Sequence, residues 1–128
     1  MTIPETLRYT PDHEWVAIDG TTASVGITDY AQQAIGDIVY VSVPAPGSRV
    51  RAGEPCGEVE STKSVSDLYS PVDGEVTEVN SEIEDDPGLV NSDPYGAGWL
   101  LRIRLDDDAD VSGLLTAEEY AKVTQKAD

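Results

Sequence analysis

The chain has 128 residues, 25 acidic against 8 basic side chains, and a formal net charge of −17. One compact domain, residues 1–128, accounts for that length, and the acidic balance opposes binding to nucleic acid or an anionic membrane surface, since both need clustered Lys or Arg. A single cysteine, Cys56, excludes an internal disulfide framework, and with no Phe the core must be built from Trp15, Trp99, six Tyr and the β-branched residues.

Strand-type segments recur along the chain with turn signals between them. Residues 14–18 run into Asp19-Gly20, a hairpin signal, and residues 22–27 continue beyond it. Residues 28–35 read as a short helix stopped by Gly36 just past its end. Residues 38–43 alternate as a strand until Pro44 and Pro46 break the run. Residues 58–60 and 65–69 are two further strand segments on either side of Lys63, with Val59 and Val65 placed near-symmetrically about the turn. Residues 74–79 follow the Pro71-Val72-Asp73 turn, residues 84–88 read as another turn, and 99–105 form a late strand with alternating arginines. Thr116 with Glu119 three residues later is a capping box. It opens a C-terminal helix over about 116–126, with Lys122 and Lys126 toward its negative dipole end. The pattern predicts a mainly β fold, a flattened barrel or sandwich with a lysine-bearing hairpin, short helices and a C-terminal helix. A loose echo between 36–41 and 73–79 suits two interleaved halves with that hairpin between them.

Candidates for chemistry are few. Nucleophilic catalysis needs a base beside the nucleophile. The one histidine, His13, stands at a strand start, where a surface or strand-edge role is the usual one, and no Gly-x-Ser-x-Gly elbow occurs. Asp106, Asp108 and Asp110 fit the first, third and fifth positions of a calcium loop, but Val111 replaces its glycine and Ala117 its bidentate glutamate. Gly96 and Gly98 lack the third glycine and following helix of a phosphate cradle. Cys56 reads as a small buried thiol. The N-terminus has no basic region followed by an apolar run, and no apolar stretch nears membrane-spanning length, so the expected location is cytoplasmic.

Lys63 is set apart. The other two lysines have a place in the C-terminal helix, whereas Lys63 stands alone where the chain turns back. A lysine that carries a prosthetic group must protrude on a rigid support and be distinct from other amines. Lys63 meets both demands.

The segment Glu60-Ser61-Thr62-Lys63-Ser64-Val65-Ser66-Asp67 closely resembles the lipoyl-attachment segment of glycine cleavage system H proteins. The likeness continues through Tyr9-Thr10-Pro11-Asp12-His13-Glu14-Trp15-Val16, Gly26-Ile27-Thr28-Asp29-Tyr30-Ala31, residues 68–76 and residues 91–100, and so covers nearly the whole chain. Thr62 stands where the family often has valine, a β-branched residue of similar shape. The resemblance implies a non-catalytic carrier with lipoate in amide linkage on Lys63. Its partners would be glycine decarboxylase, the P protein, which loads the arm with an aminomethyl group; aminomethyltransferase, the T protein, which passes the one-carbon unit to tetrahydrofolate; and dihydrolipoamide dehydrogenase, the L protein, which reoxidises the dithiol. A lipoylating enzyme is a fourth partner, and Glu60, Ser61, Thr62, Ser64 and Asp67 are expected to form the hairpin it recognises. Glu60 and Asp67 either aid that recognition or serve solubility alone. The expected state is a monomer, with the loaded arm shielded against the protein surface. Rival readings are a lipoyl domain of a 2-oxoacid dehydrogenase complex, a biotinyl carrier, or a relay donor of lipoyl groups. Biotinyl domains usually place methionine on both sides of the lysine, where Thr62 and Ser64 stand here. Swinging lipoyl domains would normally lack His13-Glu14-Trp15 and the 91–99 motif.

Overall fold

A computed structural model describes residues 3–109 and 111–126, the side chains of residues 125 and 126 excepted. β2 (Glu14–Asp19) and β3 (Thr22–Ile27) pair through the two-residue turn Gly20-Thr21. The Asp19-Gly20 signal is thus displaced by one residue. Asp19 pairs with Thr22 as the last rung, and Gly20, at φ +63°, takes the first turn position, which favours glycine. β9 (Leu101–Leu105) lies between β3 and β8 (Gly74–Val79). With β1 (Arg8–Tyr9) and β5 (Arg49–Val50) at its edges, this antiparallel sheet runs β1-β2-β3-β9-β8-β5. β4 (Ile38–Ser42), β6 (Pro55–Ser61) and β7 (Val65–Tyr69) form a second antiparallel sheet in the order β4-β6-β7. The two strands that echo each other in sequence, β4 and β8, lie in different sheets.

Apolar side chains from both sheets, among them Val16, Val25, Val59, Leu68, Val76 and Ile103, make one buried cluster. The sheets stay open, so the architecture is the sandwich form of the expected fold. A second cluster gathers Tyr9, Trp15 and Tyr120 where the C-terminal helix packs, so aromatic rings fill the part of the core that Phe would otherwise serve.

α1 (Asp29–Ile35) begins at Thr28, whose Oγ1 accepts the Ala31 N–H at 3.1 Å, and ends at Gly36, φ +94°. α2 (Glu82–Asp85) and α3 (Leu89–Ser92) were not foreseen. Each presents one fully buried apolar side chain, Ile83 or Val90, too few to create a helical period. Glu84 and Asp85 therefore belong to a helix, and the expected turn shrinks to residues 86–88. The late strand starts at Leu101 rather than Trp99; the Trp99 ring instead sits 4.2 Å beneath the Arg102 guanidinium carbon. α4 (Ala117–Lys126) carries the capping box as read: Glu119 N–H donates to Thr116 Oγ1 at 3.2 Å, and Thr116 N–H to Glu119 Oε1 at 2.9 Å. The helix ends at Lys126 as read, with Lys122 one turn before that negative end. The Lys126 side chain lies outside the described residues.

Candidate functional site

Lys63 occupies the tip of the β6–β7 hairpin. The ladder closes with Glu60 opposite Val65, leaving Ser61-Thr62-Lys63-Ser64 as the turn. Two-residue hairpin turns normally need a positive φ, which Thr and Lys resist, and neither adopts one here. The side chain of Ser61 closes the tip instead. Its Oγ accepts the Lys63 N–H at 3.1 Å and the Ser64 N–H at 3.0 Å, while the Ser61 N–H donates to the Ser64 carbonyl at 2.8 Å. Thr62 N–H donates to the Asp37 carbonyl at 3.1 Å, which ties the tip to the loop after α1. The support under the lysine is held at both ends.

Of the other expected site residues, Ser61 is buried, while Glu60, Thr62, Ser64 and Asp67 are exposed. Paired residues share a face, so Tyr40, Glu60 and Val65 form one outward row, and Ser42, Glu58 and Asp67 the next. Glu60 and Asp67 therefore belong to the same solvent-facing side of the hairpin. Val59 and Val65 are not partners, contrary to the symmetry of the sequence. Val59 faces Ser66 and is 2% exposed, whereas Val65 is 55% exposed.

The Lys63 stem lies across Gly36, where a built Cβ would come within 2.7 Å of Lys63 Cε and 3.2 Å of Nζ. The bare backbone at the end of α1 thus leaves a saddle for the side chain. Beside the hairpin, a cleft of about 230 Å³ opens between α1 and β7. Ile27, Ala31, Ala34, Ile35, Val59 and Leu68 give it an apolar lining, and Asp12, His13, Glu14, Ser66 and Asp67 supply its polar groups. Asp67 is four residues from Lys63, roughly 13 Å along an extended strand.

Glu14, read from the sequence only as the start of a strand, is 2% exposed in that cleft. Thr10 Oγ1 donates to Glu14 Oε1 at 2.7 Å. Burial pushes the carboxyl up to about 7, against the opposing pull of Thr10 and the Tyr69 backbone. Three consecutive buried residues, Glu14 to Val16, break the alternation that would have turned Glu14 toward solvent. His13 is no plain strand-edge residue either. It precedes β2 at φ +70°, its ring lies 4.6 Å from that of Tyr30, and its Nδ1 is 2.8 Å from the Tyr120 hydroxyl. Burial lowers its pKa, with Asp12 acting against the shift. Cys56 is half-buried rather than fully buried as expected, and burial pushes its thiol up to about 11, so little thiolate is available near neutrality. Among the described residues no group of three metal-ligating side chains assembles, and no helix is long and apolar enough to cross a membrane.

Two antiparallel sheets with a lysine at the tip of a braced hairpin make the mainly β fold class expected from the sequence, that of the lipoyl and biotinyl carriers. Within that class the particular match is specific. The family model described as Glycine cleavage H-protein matches residues 7–127, and the chain belongs to that family. The matched span includes both the His13-Glu14-Trp15 and the 91–99 motifs. A glycine cleavage system H protein of Rubrobacter xylanophilus is 59% identical over 120 residues, covering 94% of this chain and 93% of its own. One from Thermobifida fusca is 56% identical, covering 98% of both. The crystal structure of a glycine cleavage system H protein from Mycobacterium marinum superposes with a TM-score of 0.89 at 48% identity, over 96% of this chain and 99% of that one.

Proposed function

We propose that Lys63 bears lipoate in amide linkage and that the chain works as a single, non-catalytic carrier domain of glycine cleavage in the cytoplasm. The observation that carries the reading is the exposed amine at a braced hairpin tip, with an apolar cleft running beside the same hairpin. The residues present fit the group. An extended acyl-lysine arm matches the roughly 13 Å between the tip and Asp67, and the apolar lining suits its hydrocarbon chain. Glu14, poised near neutrality, is positioned at the polar side of the cleft to meet an amine. Bound lipoate supplies a dithiolane able to hold an aminomethyl group and to take up and release two electrons.

The protein's own residues then present and protect. Ser61 and the Asp37 carbonyl hold the tip still for the lipoylating enzyme, with Glu60, Thr62, Ser64 and Asp67 on its approach. Gly36 leaves the lysine stem free to swing. Tethering raises the local concentration of the reactive sulfur at glycine decarboxylase, aminomethyltransferase and dihydrolipoamide dehydrogenase in turn. The acidic surface favours steered, salt-sensitive encounter with them. Intact-mass measurement on protein treated with a lipoate ligase tests the site. A lipoyl increment absent from Lys63→Arg is expected, and an increment that survives the substitution would overturn it. Because Lys63 is exposed, that variant should melt as the wild type does.

A further inference from the structure

The cleft has two walls at the open end of the β2–β3 hairpin: the segment entering β2, with Asp12, His13 and Glu14, and helix α1, with Ala31, Ala34 and Ile35, joined at their base by the Glu14–Ile27 rung and by the Thr28 N–H donating to the His13 carbonyl at 3.0 Å. One atom outside the cleft touches the residues that anchor both. The Tyr120 hydroxyl on α4 lies 2.7 Å from Thr28 Oγ1, the cap of α1, and 2.8 Å from His13 Nδ1. Tyr120 is fully buried and stacks on Tyr9, with ring centroids 4.7 Å apart and planes 9° from parallel. Tyr9 in turn holds the start of α4, since its backbone exchanges hydrogen bonds with Leu115 at 2.9 and 2.7 Å. The C-terminal helix therefore reaches both walls through Tyr120, whose hydroxyl bonds Thr28 and His13 and whose ring meets the His13 ring edge-on at 5.7 Å.

We propose that Tyr120 is a positioning residue, a latch by which the C-terminal helix holds the two walls of the arm cleft in register. This inference rests on the reading of the cleft as the shelter of a loaded arm. The direction of the hydrogen bonds follows from what each group offers. Thr28 is fully buried, its Oγ1 accepts the Ala31 N–H, and among the described residues the Tyr120 oxygen is the one acceptor its hydroxyl meets, so its hydrogen goes there. The Tyr120 hydrogen then goes to His13 Nδ1, which must be unprotonated, with the ring hydrogen on Nε2. The chain Thr28 to Tyr120 to His13 leaves no buried hydrogen without an acceptor.

Protonation of His13 breaks the sequence. Nδ1–H would then face the Tyr120 oxygen together with the Thr28 hydroxyl, and the Tyr120 hydrogen would lose its acceptor in a buried place. The groups around His13 are Asp12 and Glu14 on its own loop, Tyr30 and Thr28 on α1, Tyr120 on α4, and Asp67 across the cleft. Burial keeps the folded-state pKa below the ordinary 6.5, so the latch is shut at and above that pH and opens as pH falls below it. Glu14, near 7, titrates close to the same window, so a pH profile of the wild type alone would mix the two groups.

Tyr120→Phe keeps the ring stack and deletes only the hydroxyl. Two measurements separate the latch from the shelter it serves. In unlipoylated protein, NMR should show the Ala31 amide exchanging at least several-fold faster in Tyr120→Phe and the His13 titration moving up, because the bond that favoured the neutral ring is gone. Unchanged exchange and unchanged titration overturn the latch, whatever the arm does. In lipoylated protein loaded with the aminomethyl group, the variant should lose that group several-fold faster than wild type at pH 7.5. The wild type should approach the variant's rate as pH falls below 6.5. Equal rates in the two proteins at pH 7.5, both slower than a loaded free lipoamide, overturn the coupling of the latch to the cleft. A wild-type rate equal to that of the free lipoamide overturns the shelter itself, and with it any service the latch performs for the arm.

Discussion

Ser61→Ala tests whether the hairpin tip is rigid for the reason argued. Ser61 Oγ is the acceptor for two backbone N–H groups, those of Lys63 and Ser64, and itself donates to the Ser64 carbonyl at 3.3 Å; the substitution removes the accepted pair and this longer bond while leaving the Ser61 N–H on the Ser64 carbonyl. A typical hydrogen bond contributes about 0.5–1.5 kcal/mol net, which gives roughly 1–3 kcal/mol for the pair. Lys63 and Ser64 are exposed, so water replaces the lost acceptor and the lower end applies, about 1 kcal/mol. That lowers the closed-to-open ratio of the tip about fivefold and the melting temperature by roughly 4 °C. The assay is single-turnover acylation of Lys63 by a lipoate ligase, followed by intact mass, together with amide exchange at Ser64. Acylation should slow by up to about fivefold, in proportion to the closed fraction lost, exchange at Ser64 should quicken about fivefold, and Ser61→Thr, which keeps the oxygen, should recover most of both. Acylation at the wild-type rate despite faster exchange at Ser64 would refute the claim that the enzyme needs a rigid tip. Unchanged exchange would refute the role given to Ser61.

The remaining predictions concern the body of the fold and the cleft. Gly57→Ala places a Cβ against the Ser42 carbonyl oxygen of β4, a backbone atom with no freedom to retreat, and should cost about 1–3 kcal/mol in a denaturant titration. A neutral result would show that the register irregularity between Pro55 and Gly57 in the β6–β7 ladder absorbs the methyl. Glu14→Gln replaces a carboxyl whose folded pKa is raised from 4.5 to about 7. In the wild type the protonated form is favoured in the fold, so its stabilisation is complete below 4.5 and is lost as pH rises through 7, a change of roughly 3 kcal/mol. The glutamine variant should lack that pH-dependent fall when urea midpoints are compared at pH 4.5 and 8, and an identical slope in both proteins would contradict the burial argument.

What was legible in the sequence and what was not divides by the range of the interaction. Thr28, Gly36, Thr116 and Glu119 act within one helical turn, and they marked the ends of α1 and α4 correctly. The strands of β2, β3, β6, β7 and β8 announced themselves by alternation and turn residues. The turn Gly20-Thr21 was misplaced by one residue because Asp-Gly and Gly-Thr compete for the same hairpin, and ladder register decides between them. β1 and β5 are two residues long, so they carry no period at all. Lys63 was found because its isolation is a property of composition. The cleft was not, since Glu14, Ile27, Ala31 and Leu68 come together only after two sheets and a helix have packed. The motif His13-Glu14-Trp15 was seen as a mark of the family, but nothing local says that Glu14 is buried with Thr10 as its donor.

These two kinds of residue correspond to two tasks, and their electrostatics differ accordingly. A group that must be reached by other enzymes belongs in water, and Lys63 sits at an exposed tip whose bracing comes entirely from backbone contacts and Ser61. A group that must keep water away from a labile adduct belongs in an apolar cleft, and there the perturbed titrations of Glu14 and His13 appear. In an enzyme such shifts would mark acid and base catalysts. Here Thr10 hydrogen-bonds the carboxyl and Tyr120 the imidazole, and the one cysteine is held as a thiol. On the proposed reading, the shifted groups act on the lifetime of what a loaded arm would carry. Gly36 lies where the two tasks meet: the lysine stem crosses it, and a Cβ there would come within 2.7 Å of Lys63 Cε.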